Sequence, residues 1–411
     1  MTWLRGNYNI FTIMAKKSKE NYPAKIKVVG VGGAGGNAVT RMADSFPRSI
    51  DLIVINTDIQ DLNHAQARKK IHIGKNLTRG LGTGMNPEIG QQAAEEDRAE
   101  IAEALKGADM VFIAAGFGGG TGTGATPIVA EIAKELGILT IAVVTKPFGF
   151  EGSKRAQIAQ DGIARVKEKV DTLIAIPNDK IFSIINKETS LIKAFEAIDE
   201  VLKNAVLGIT ELIISPGIVN VDFADVKAIM SDAGASVIGI GRASGKDRAS
   251  VAATQAINSP LLEMSIDGAK GILFGISGQR DLKMSEINEA ANLISENIDP
   301  GAKIIFGAYH NRRLNKGQLK ITLIATGFNG NYGGNGDMLS QNLFSPRITI
   351  REEIFEEPAA NGSLFEESEK SAKKSLPTGR QAMPTGRQAK NEKEKSEDIL
   401  DMPAFLRKRR K

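Results

Sequence analysis

The sequence predicts an α/β fold built on a mostly parallel sheet with helices on both of its faces. After Lys25, short apolar runs such as KIKVVGVG and MVFIAAG alternate with longer helical patterns. Near-continuous apolar strands are typical of parallel strands that are buried on both sides. A long helical pattern, SLIKAFEAIDEVLKNAVLGITELI, comes next, and the strand patterns beyond it predict a smaller α/β or α+β domain.

The elements can be predicted one by one in chain order. In the first domain, strands are predicted over KIKVVGVG, IDLIVINTD, KIHIG, MVFIAAG, LTIAVVTKPF and TLIAIPND. One long helix is predicted over PEIGQQAAEEDRAEIAEALKGA, because Pro stands near its start and Gly near its end. In the second domain, strands are predicted over ASVIGIGRA, GAKGILFGISG, AKIIFGAYH and LKITLIATGF, with helices between them.

Changes in composition divide the chain of 411 residues into successive parts. After Asn329 the sequence is rich in Gly, Asn, Ser and charged residues and doubles the segment PTGRQA, so it buries too little apolar surface to fold. The predicted parts are an N-terminal extension (1–24), a first domain (25–190), a connecting helix (191–214), a second domain (215–328), a disordered linker (329–396) and a short tail (397–411).

Composition also excludes several classes of site. The chain has no Cys, which rules out disulfides and thiolate catalysis and fits a reducing cytosol, and its three His residues show no ligand spacing, so no metal site is predicted. The net charge is only +5, and the clearest basic run, RKRRK, is confined to the end of the chain, so no nucleic-acid partner is expected. No apolar run reaches the roughly 20 residues that span a bilayer.

Glycine-rich segments stand where strands give way to helices. Gly30, Gly32 and Gly35 form G-x-G-x-x-G after the first strand, and Asp58 closes the next one, a Rossmann-like pattern typical of dinucleotide binding. Taken alone, that motif favours an NAD-type oxidoreductase.

Two further glycine segments change this interpretation. GGGTGTG (118–124) predicts a loop between a strand and a helix, and GLGTGMNPEIG (80–90) leads into another helix. Helix N-termini offer free N–H groups, and glycines let the backbone approach a ligand closely. Three such segments predict one anionic ligand held by backbone amides and by the hydroxyls of Thr121 and Thr123, without a lysine. If they were only tight turns, three at adjacent strand ends would be unexpected.

Together with NTD, VTKPFGFEGSKR, IPND and NVDFADV, the segment GGGTGTG resembles the tubulin/FtsZ superfamily, and within it the family of bacterial cell-division FtsZ proteins. The resemblance covers about residues 25 to 328, and DILDMPAFLRK in the tail is similar to that family's C-terminal peptide. It implies a Rossmann-like GTPase domain that binds GTP or GDP, and head-to-tail assembly of the chain with copies of itself. Mg²⁺ is expected from the chemistry of the phosphates, although no metal-ligand motif predicts it.

The resemblance assigns the nucleotide contacts to residues of this sequence. Ala34 stands where many relatives carry Gly, and binding is expected to survive its methyl group. Glu151 and Arg155 are implied on the ribose side, although their i, i+4 spacing alone also fits an ordinary surface ion pair. The phosphate contacts implied are Gly32, Gly33, Ala34, Gly35, Gly36 and Asn37 in the first loop, and Gly118, Gly119, Gly120, Thr121, Gly122, Thr123 and Gly124 in the second.

Base recognition is expected on the long helix. Phe195 and Asp199 are four residues apart, so the ring can stack on a purine while the carboxylate accepts from the N1–H and 2-amino groups that guanine has and adenine lacks. The resemblance adds Asn178 as a second guanine contact. The alternative for Phe195 is core packing, the commoner fate of such a ring.

The catalytic residues implied by the resemblance lie elsewhere, in NVDFADV. Asn220, Asp222 and Asp225 would meet the nucleotide of the next subunit, where carboxylates can orient water and take its proton. Asp222 or Asp225 also fits a helix N-cap, and both roles are compatible.

The expected function is that of a cytoplasmic GTPase that polymerises into protofilaments of the division ring, on the inner face of the membrane. The tail 397–411 is expected to bind membrane-tethering and regulatory division proteins. An NAD-type oxidoreductase is the alternative, and a filament protein that shapes cells without constricting them is a third interpretation, against which the tail argues.

Overall fold

The computed structural model describes residues 24–47, 49–183, 185, 188–215, 217–311 and 314–328. The predicted linker and tail, and all but residue 24 of the predicted extension, lie outside these residues. The strands are β1 (Ile26–Val31), β2 (Asp51–Asn56), β3 (Lys69–His72), β4 (Met110–Gly116), β5 (Leu139–Lys146), β6 (Thr172–Pro177), β7 (Gly217–Val219), β8 (Gly234–Ser244), β9 (Gly271–Gly278), β10 (Lys303–His310) and β11 (Gln318–Thr326).

Helices occupy most of the connections between these strands. In chain order they are α1 (Gly32–Met42), α2 (Ile59–His64), α3 (Lys75–Thr78), α4 (Pro87–Glu96), α5 (Arg98–Leu105), α6 (Thr121–Glu135), α7 (Ser153–Lys167), α8 (Leu191–Ile214), α9 (Phe223–Met230), α10 (Arg248–Ile257) and α11 (Met284–Ser295).

One sheet runs through the described residues, with strand order β3-β2-β1-β4-β5-β6-β8-β11-β9-β10-β7. From β3 to β8 every neighbouring pair is parallel. Beyond β8 the pairing becomes mixed, because β11 is antiparallel to both β8 and β9. The predicted α/β class with a Rossmann-like parallel sheet is confirmed, and the strands predicted from apolar runs are all present.

Helices cover both faces of the parallel part. Along β4, Met110 and Phe112 belong to one core, whereas Val111 and Ile113 belong to the core on the opposite face, as the alternation of a strand requires. The first of these cores also contains residues of α8 and apolar residues from β9 and β11. The long helix therefore packs against both halves of the sheet.

Two glycine segments predicted as loops are in fact the first turns of helices. α1 begins at Gly32 and α6 at Thr121, so the last four of the seven residues of GGGTGTG are helical. The prediction was wrong because tertiary packing outweighs the poor helix propensity of glycine. At Gly124 a methyl group would overlap the carbonyl oxygen of Pro87 in α4, so this turn can pack there only as glycine.

The single helix predicted over PEIGQQAAEEDRAEIAEALKGA is two helices, α4 and α5, which separate at Asp97. The Asp97 carboxylate accepts a hydrogen bond from the amide of Gly74, 2.7 Å away, at the start of α3. The local helical pattern carries no information about this long-range contact, so the sequence predicted one continuous helix.

The first half of the sheet (β1–β6, before α8) and the second half (β7–β11, after α8) join directly where β6 pairs with β8. Thr172, Leu173 and Ile174 pair in parallel with residues 234–236 of β8. The Thr172 hydroxyl donates to the carbonyl of Met230, 2.6 Å away, just before β8. Farther along the junction, Lys146 of the first half forms an ion pair with Glu263 of the second.

A buried ion-pair cluster holds the second half together. The Arg248 side chain is only 5% exposed and donates to both carboxylate oxygens of Glu286, at 2.6 and 2.9 Å, and to Asp281 at 2.8 Å. Hydrogen bonding from Arg248 holds the pKa of Glu286 and of Asp281 below their usual values. The cluster ties α10 to α11.

Arg248→Met is expected to lower the free energy of unfolding by about 3–5 kcal/mol, because it leaves the buried carboxylate of Glu286 without its counter-charge. Urea unfolding at neutral pH, followed by circular dichroism, measures this. The loss should shrink in acid, because the carboxyls with depressed pKa contribute stability above about pH 4 that disappears as the pH falls through their folded pKa.

Arg98→Met is the matched control. Arg98 also contacts several carboxylates, those of Glu95, Glu131 and Glu135, but its side chain is 31% exposed. Exposed pairs contribute less than about 1 kcal/mol, so an equal loss in the two variants would contradict the role given to burial.

Candidate functional site

A cleft of about 410 Å³ opens at the carboxyl ends of the parallel strands. Ligand sites of open α/β sheets lie at this edge. The walls come from the three glycine segments, from the segment after β5 and from α8. The lining residues are Gly33, Ala34, Asn37, Arg41, Leu81, Gly82, Thr83, Gly84, Met85, Gly116, Phe117, Gly119, Gly120, Thr121, Gly122, Thr145, Pro147, Glu151, Arg155, Asn178, Phe195, Ile198, Asp199 and Leu202.

The first glycine segment presents the N-terminus of α1 to this cleft. No side chain caps the helix at Val31, so its first amides are available to an anionic group. Gly33, Ala34 and Asn37 line the cleft. The methyl group of Ala34 lies over Gly116, where an added Cβ would come within 2.6 Å of it. Alanine is therefore accommodated because position 116 carries no side chain.

The other glycines of this segment pack against the sheet or, at Gly32, against Gly122 of α6, and do not line the cleft. Gly32, Gly35 and Gly36 were predicted as phosphate contacts, but none of their atoms borders the cleft. A methyl group at Gly35 would overlap the carbonyl oxygen of Ala114 in β4, and one at Gly36 would press on Val54 at 3.2 Å. These glycines let α1 approach the sheet closely.

The second glycine segment contributes Gly119, Gly120, Thr121 and Gly122 to the cleft. An added Cβ at Gly119 would meet no atom within 4 Å, so this backbone is open to a ligand. The remaining predicted contacts, Gly118, Thr123 and Gly124, do not line the cleft. Of these, Thr123 accepts a hydrogen bond from the amide of Gly118 at 3.0 Å and so closes the segment on itself.

The third glycine segment forms the opposite wall with Leu81, Gly82, Thr83, Gly84 and Met85. Thr121 contacts the hydroxyl of Thr83 at 3.3 Å and that of Thr57, after β2, at 2.7 Å. These hydroxyls link the loops. The segment was predicted as part of the grip on the ligand, but its individual residues were not, because only its glycines carried a signal.

Glu151 and Arg155 line the cleft as an ion pair with 3.4 Å between Arg155 Nη1 and a carboxylate oxygen. Their side chains are 8% and 19% exposed, so this is not an ordinary surface pair. The other carboxylate oxygen of Glu151 accepts from the amide of Phe148 at 3.0 Å. That bond fixes the carboxylate against the end of β5.

The far end of the cleft brings together Phe195, Asp199 and Asn178. The Phe195 ring lines the cleft and also packs edge-on against Phe148, with ring centroids 5.6 Å apart, so its core contact and its exposure to a ligand coexist. Asn178 is buried, and its Oδ1 has no hydrogen-bond partner among the described residues. An acceptor in that position can take a hydrogen bond from a ligand.

Asp199 is paired with Arg41, whose Nε lies 2.9 Å from Asp199 Oδ2. Burial raises the pKa of Asp199 to about 7, and Arg41 opposes that rise. Arg41 was missed in the sequence. Its signal is the i, i+4 spacing from Asn37 on α1, which places both on the helix face that follows the first glycine segment.

The predicted catalytic residues lie outside this cleft. Asn220, Asp222 and Asp225 are all exposed and lie at or near the start of α9. Asn220 accepts from the amide of Gly217 at 2.6 Å. Asp222 has the backbone geometry of an N-cap, but its side chain makes no capping hydrogen bond. Within one chain, these residues are not brought to the end of the cleft that the glycine segments form.

Acidic residues are sparse around the cleft, where Glu151 and Asp199 are the carboxylates of the lining. In the described ranges, no group of three or more His, Asp or Glu side chains is placed to hold a metal ion. The two carboxylates that line the cleft therefore do not form a Mg²⁺ site by themselves. In the same ranges, no helix is long and apolar enough to cross a membrane.

Asp58, the residue that would bind ribose in a dinucleotide site, has another role. Its carboxylate caps α2 by accepting from the amides of Gln60 and Asp61, at 2.8 and 3.3 Å. The structure therefore gives the oxidoreductase alternative no support.

Comparisons with known proteins agree with this geometry. Residues 25–186 match the family model of the Tubulin/FtsZ family, GTPase domain, and residues 234–329 match that of the FtsZ family, C-terminal domain. The structure is similar to an FtsZ dimer of M. jannaschii, with 46% identity, a TM-score of 0.72 and coverage of 79% of this chain and 93% of that one.

A more distant likeness concerns the fold alone. CetZ1 from Haloferax volcanii, in a GDP-bound monomer, is 22% identical with a TM-score of 0.65, covering 74% of this chain and 95% of that one. Identity of nearly half over almost the whole length of an FtsZ chain, together with both family models, settles the assignment: the chain belongs to the tubulin/FtsZ family, on its FtsZ side, and is a GTPase.

Proposed function

We propose that this GTPase assembles head-to-tail into protofilaments of a division ring, and that each nucleotide is hydrolysed between two subunits. The observation that carries this proposal is the separation of two sets of residues. The cleft holds the glycine segments, while Asp222 and Asp225, the carboxylates assigned to water activation, are exposed outside it. A second copy of the chain can supply what the first lacks.

The triphosphate end of GTP is proposed to lie between the N-termini of α1 and α6. Their uncapped amides, the open backbone at Gly119 and the hydroxyl of Thr121 offer donors to phosphate oxygens. Glu151 and Arg155 would face the ribose, and Phe195 would stack on the base. Asp199 would accept from guanine N1–H and the 2-amino group.

For hydrolysis, a water oxygen attacks the γ-phosphorus while the bond to the β–γ bridging oxygen breaks. Asp225 or Asp222 of the adjoining subunit would orient that water and take its proton, and Asn220 would help to place it. Mg²⁺ is expected with the triphosphate, where it would neutralise charge on the phosphate oxygens; the lining of the cleft supplies too few carboxylates to hold it alone.

Exposed apolar side chains support association through these two faces. Leu81, in the wall of the cleft, is 66% exposed, and Ile218, two residues before Asn220, is 70% exposed. A head-to-tail contact joins different faces and does not close, so it grows filaments. Two relatives are likewise described as assemblies of copies: FtsZ of M. jannaschii as a dimer and CetZ2 of Haloferax volcanii as a protofilament.

The cellular role and the tail are proposed on the resemblance to FtsZ. The protein would act in the cytoplasm at the division site, with residues 397–411 binding membrane-tethering and regulatory proteins. The division role is preferred to that of a cell-shaping filament because of the tail motif DILDMPAFLRK, which lies outside the described residues.

Asp199→Ala is expected to weaken GTP binding by roughly 10- to 100-fold, because guanine loses a charged acceptor worth roughly 1.5–3 kcal/mol. Displacement of a fluorescent GTP analogue measures the affinity. Glu200→Ala is the control, since Glu200 is the next residue of α8 but is exposed and does not line the cleft. Wild-type protein that binds ATP as tightly as GTP would contradict the base assignment.

Asp225→Ala is expected to bind GTP normally and to hydrolyse it at least about 100-fold more slowly, in line with the loss of a general base. In the wild type, turnover per subunit should rise above a threshold protein concentration, together with light scattering. Asp232→Asn, just beyond the other end of α9, controls for a general effect of lost charge. Turnover that is independent of concentration below assembly would show that one chain holds a complete site.

Deletion of residues 397–411 is expected to leave GTP hydrolysis and filament formation nearly unchanged and to abolish the placement of filaments at the membrane in cells. A segment with apolar residues beside a polar linker is typical of a peptide that orders on its partner. Fluorescence imaging and sedimentation provide the two measurements. A scrambled tail of the same composition should behave like the deletion; normal rings with either variant would refute the docking role.

A further inference from the structure

Helix α1 connects the two ends of the cleft. Its first residues belong to the phosphate end, and Arg41, in its last turn, lies at the base end. At 1.5 Å per residue, the backbone of Arg41 lies about 12 Å along the helix axis from that of Gly33. A cation is also favoured in the last turn of a helix by the helix dipole.

Arg41 lies between two carboxylates of α8. Its Nε is 2.9 Å from Asp199 Oδ2, and its Nη1 is 3.5 Å from Glu196 Oε1. The exposed fractions differ: the Asp199 side chain is 13% exposed, whereas that of Glu196 is 41% exposed. The guanidinium therefore meets Asp199 inside the cleft and Glu196 at its rim.

We infer that Arg41 is a positioning residue for base selection, which keeps Asp199 ionised and fixes one of its carboxylate oxygens, while Glu196 opposes it. The inference rests on the proposed function, in which Asp199 accepts hydrogen bonds from guanine. It adds that the preference for guanine depends on pH and is set by the charges at positions 41 and 196.

The chemistry of the carboxyl group explains this dependence. An ionised Asp199 accepts hydrogen bonds from both N1–H and the 2-amino group of guanine. A protonated Asp199 carries an O–H donor that faces these N–H donors, so one of the two hydrogen bonds is lost. Burial raises the pKa of Asp199 to about 7, Arg41 lowers it and Glu196 raises it. Glu151 and Arg155, the other charged groups of the cleft lining, are paired with each other.

The test compares GTP with inosine triphosphate, which lacks only the 2-amino group. The ratio of their dissociation constants is measured on the full-length protein from about pH 5.5 to about pH 8, around the range in which the group titrates. Both ligands carry the same triphosphate, so protonation of the phosphates cancels in the ratio. The wild type should prefer GTP by roughly 10-fold or more at the alkaline end. The preference should fall in acid with a midpoint below that of the free protein, because the ratio reports the pKa of Asp199 in the two complexes, where the donors of the base lower it.

Two variants should move this midpoint in opposite directions. Arg41→Gln removes the cation, so the midpoint should rise by about one pH unit or more, and the preference measured near neutral pH should fall. Glu196→Gln removes the opposing carboxylate, so the midpoint should fall. Arg41→Lys, which keeps the charge, should restore most of the wild-type profile.

The outcomes separate the two levels of the hypothesis. If the wild type does not distinguish GTP from inosine triphosphate or ATP at any pH, the proposed reading of guanine by Asp199 is wrong. If it does, but Arg41→Gln weakens both ligands equally with an unmoved midpoint, Arg41 is only structural and the inference fails. Should Arg41→Gln not fold, the direction of the shift in Glu196→Gln decides, and an unmoved or raised midpoint overturns the inference.

Discussion

The site depends on backbone-to-backbone contact between helices that begin at the same edge of the sheet. A side chain at Gly124 would overlap Pro87 of α4, and one at Gly90 of α4 would overlap the backbone of Gly120. A side chain at Gly35 would likewise overlap β4. Because these positions carry none, α1, α4 and α6 pack closely together, and the N-termini of α1 and α6 face one cleft. Many of the glycines therefore act through packing, and fewer than the motif suggests line the cleft.

Apolar runs identified the strands of this fold because buried parallel strands need little beyond hydrophobic side chains. Elements set by long-range contacts could not be predicted in the same way. Asp97 ends a helix by binding an amide from another part of the chain, and β7 forms only because β10 lies beside it. The glycine-rich helix starts were missed for a related reason, since local propensity gives no information about a neighbouring helix.

The position of the site could be predicted from the sequence, whereas the roles of several of its residues could not. Glycine motifs and i, i+4 pairs located the cleft, because they are local patterns with a direct geometric meaning. They did not separate Gly33, which lines the cleft, from Gly35, which packs on the sheet. Nor did they find Arg41, whose relation to Asp199 exists only once α1 packs against α8. Packing between elements decides which residues of a motif line the cleft.

The junction of β6 with β8 has a mechanical consequence. The two halves share backbone hydrogen bonds there, and such groups cannot be left unpaired in a buried sheet without a large cost in free energy. A hinge at this junction is therefore disfavoured. Helix α8, whose buried face contacts both halves, joins them a second time beside the sheet. A load that reaches one end of the molecule would therefore be transmitted to the other end through the shared sheet.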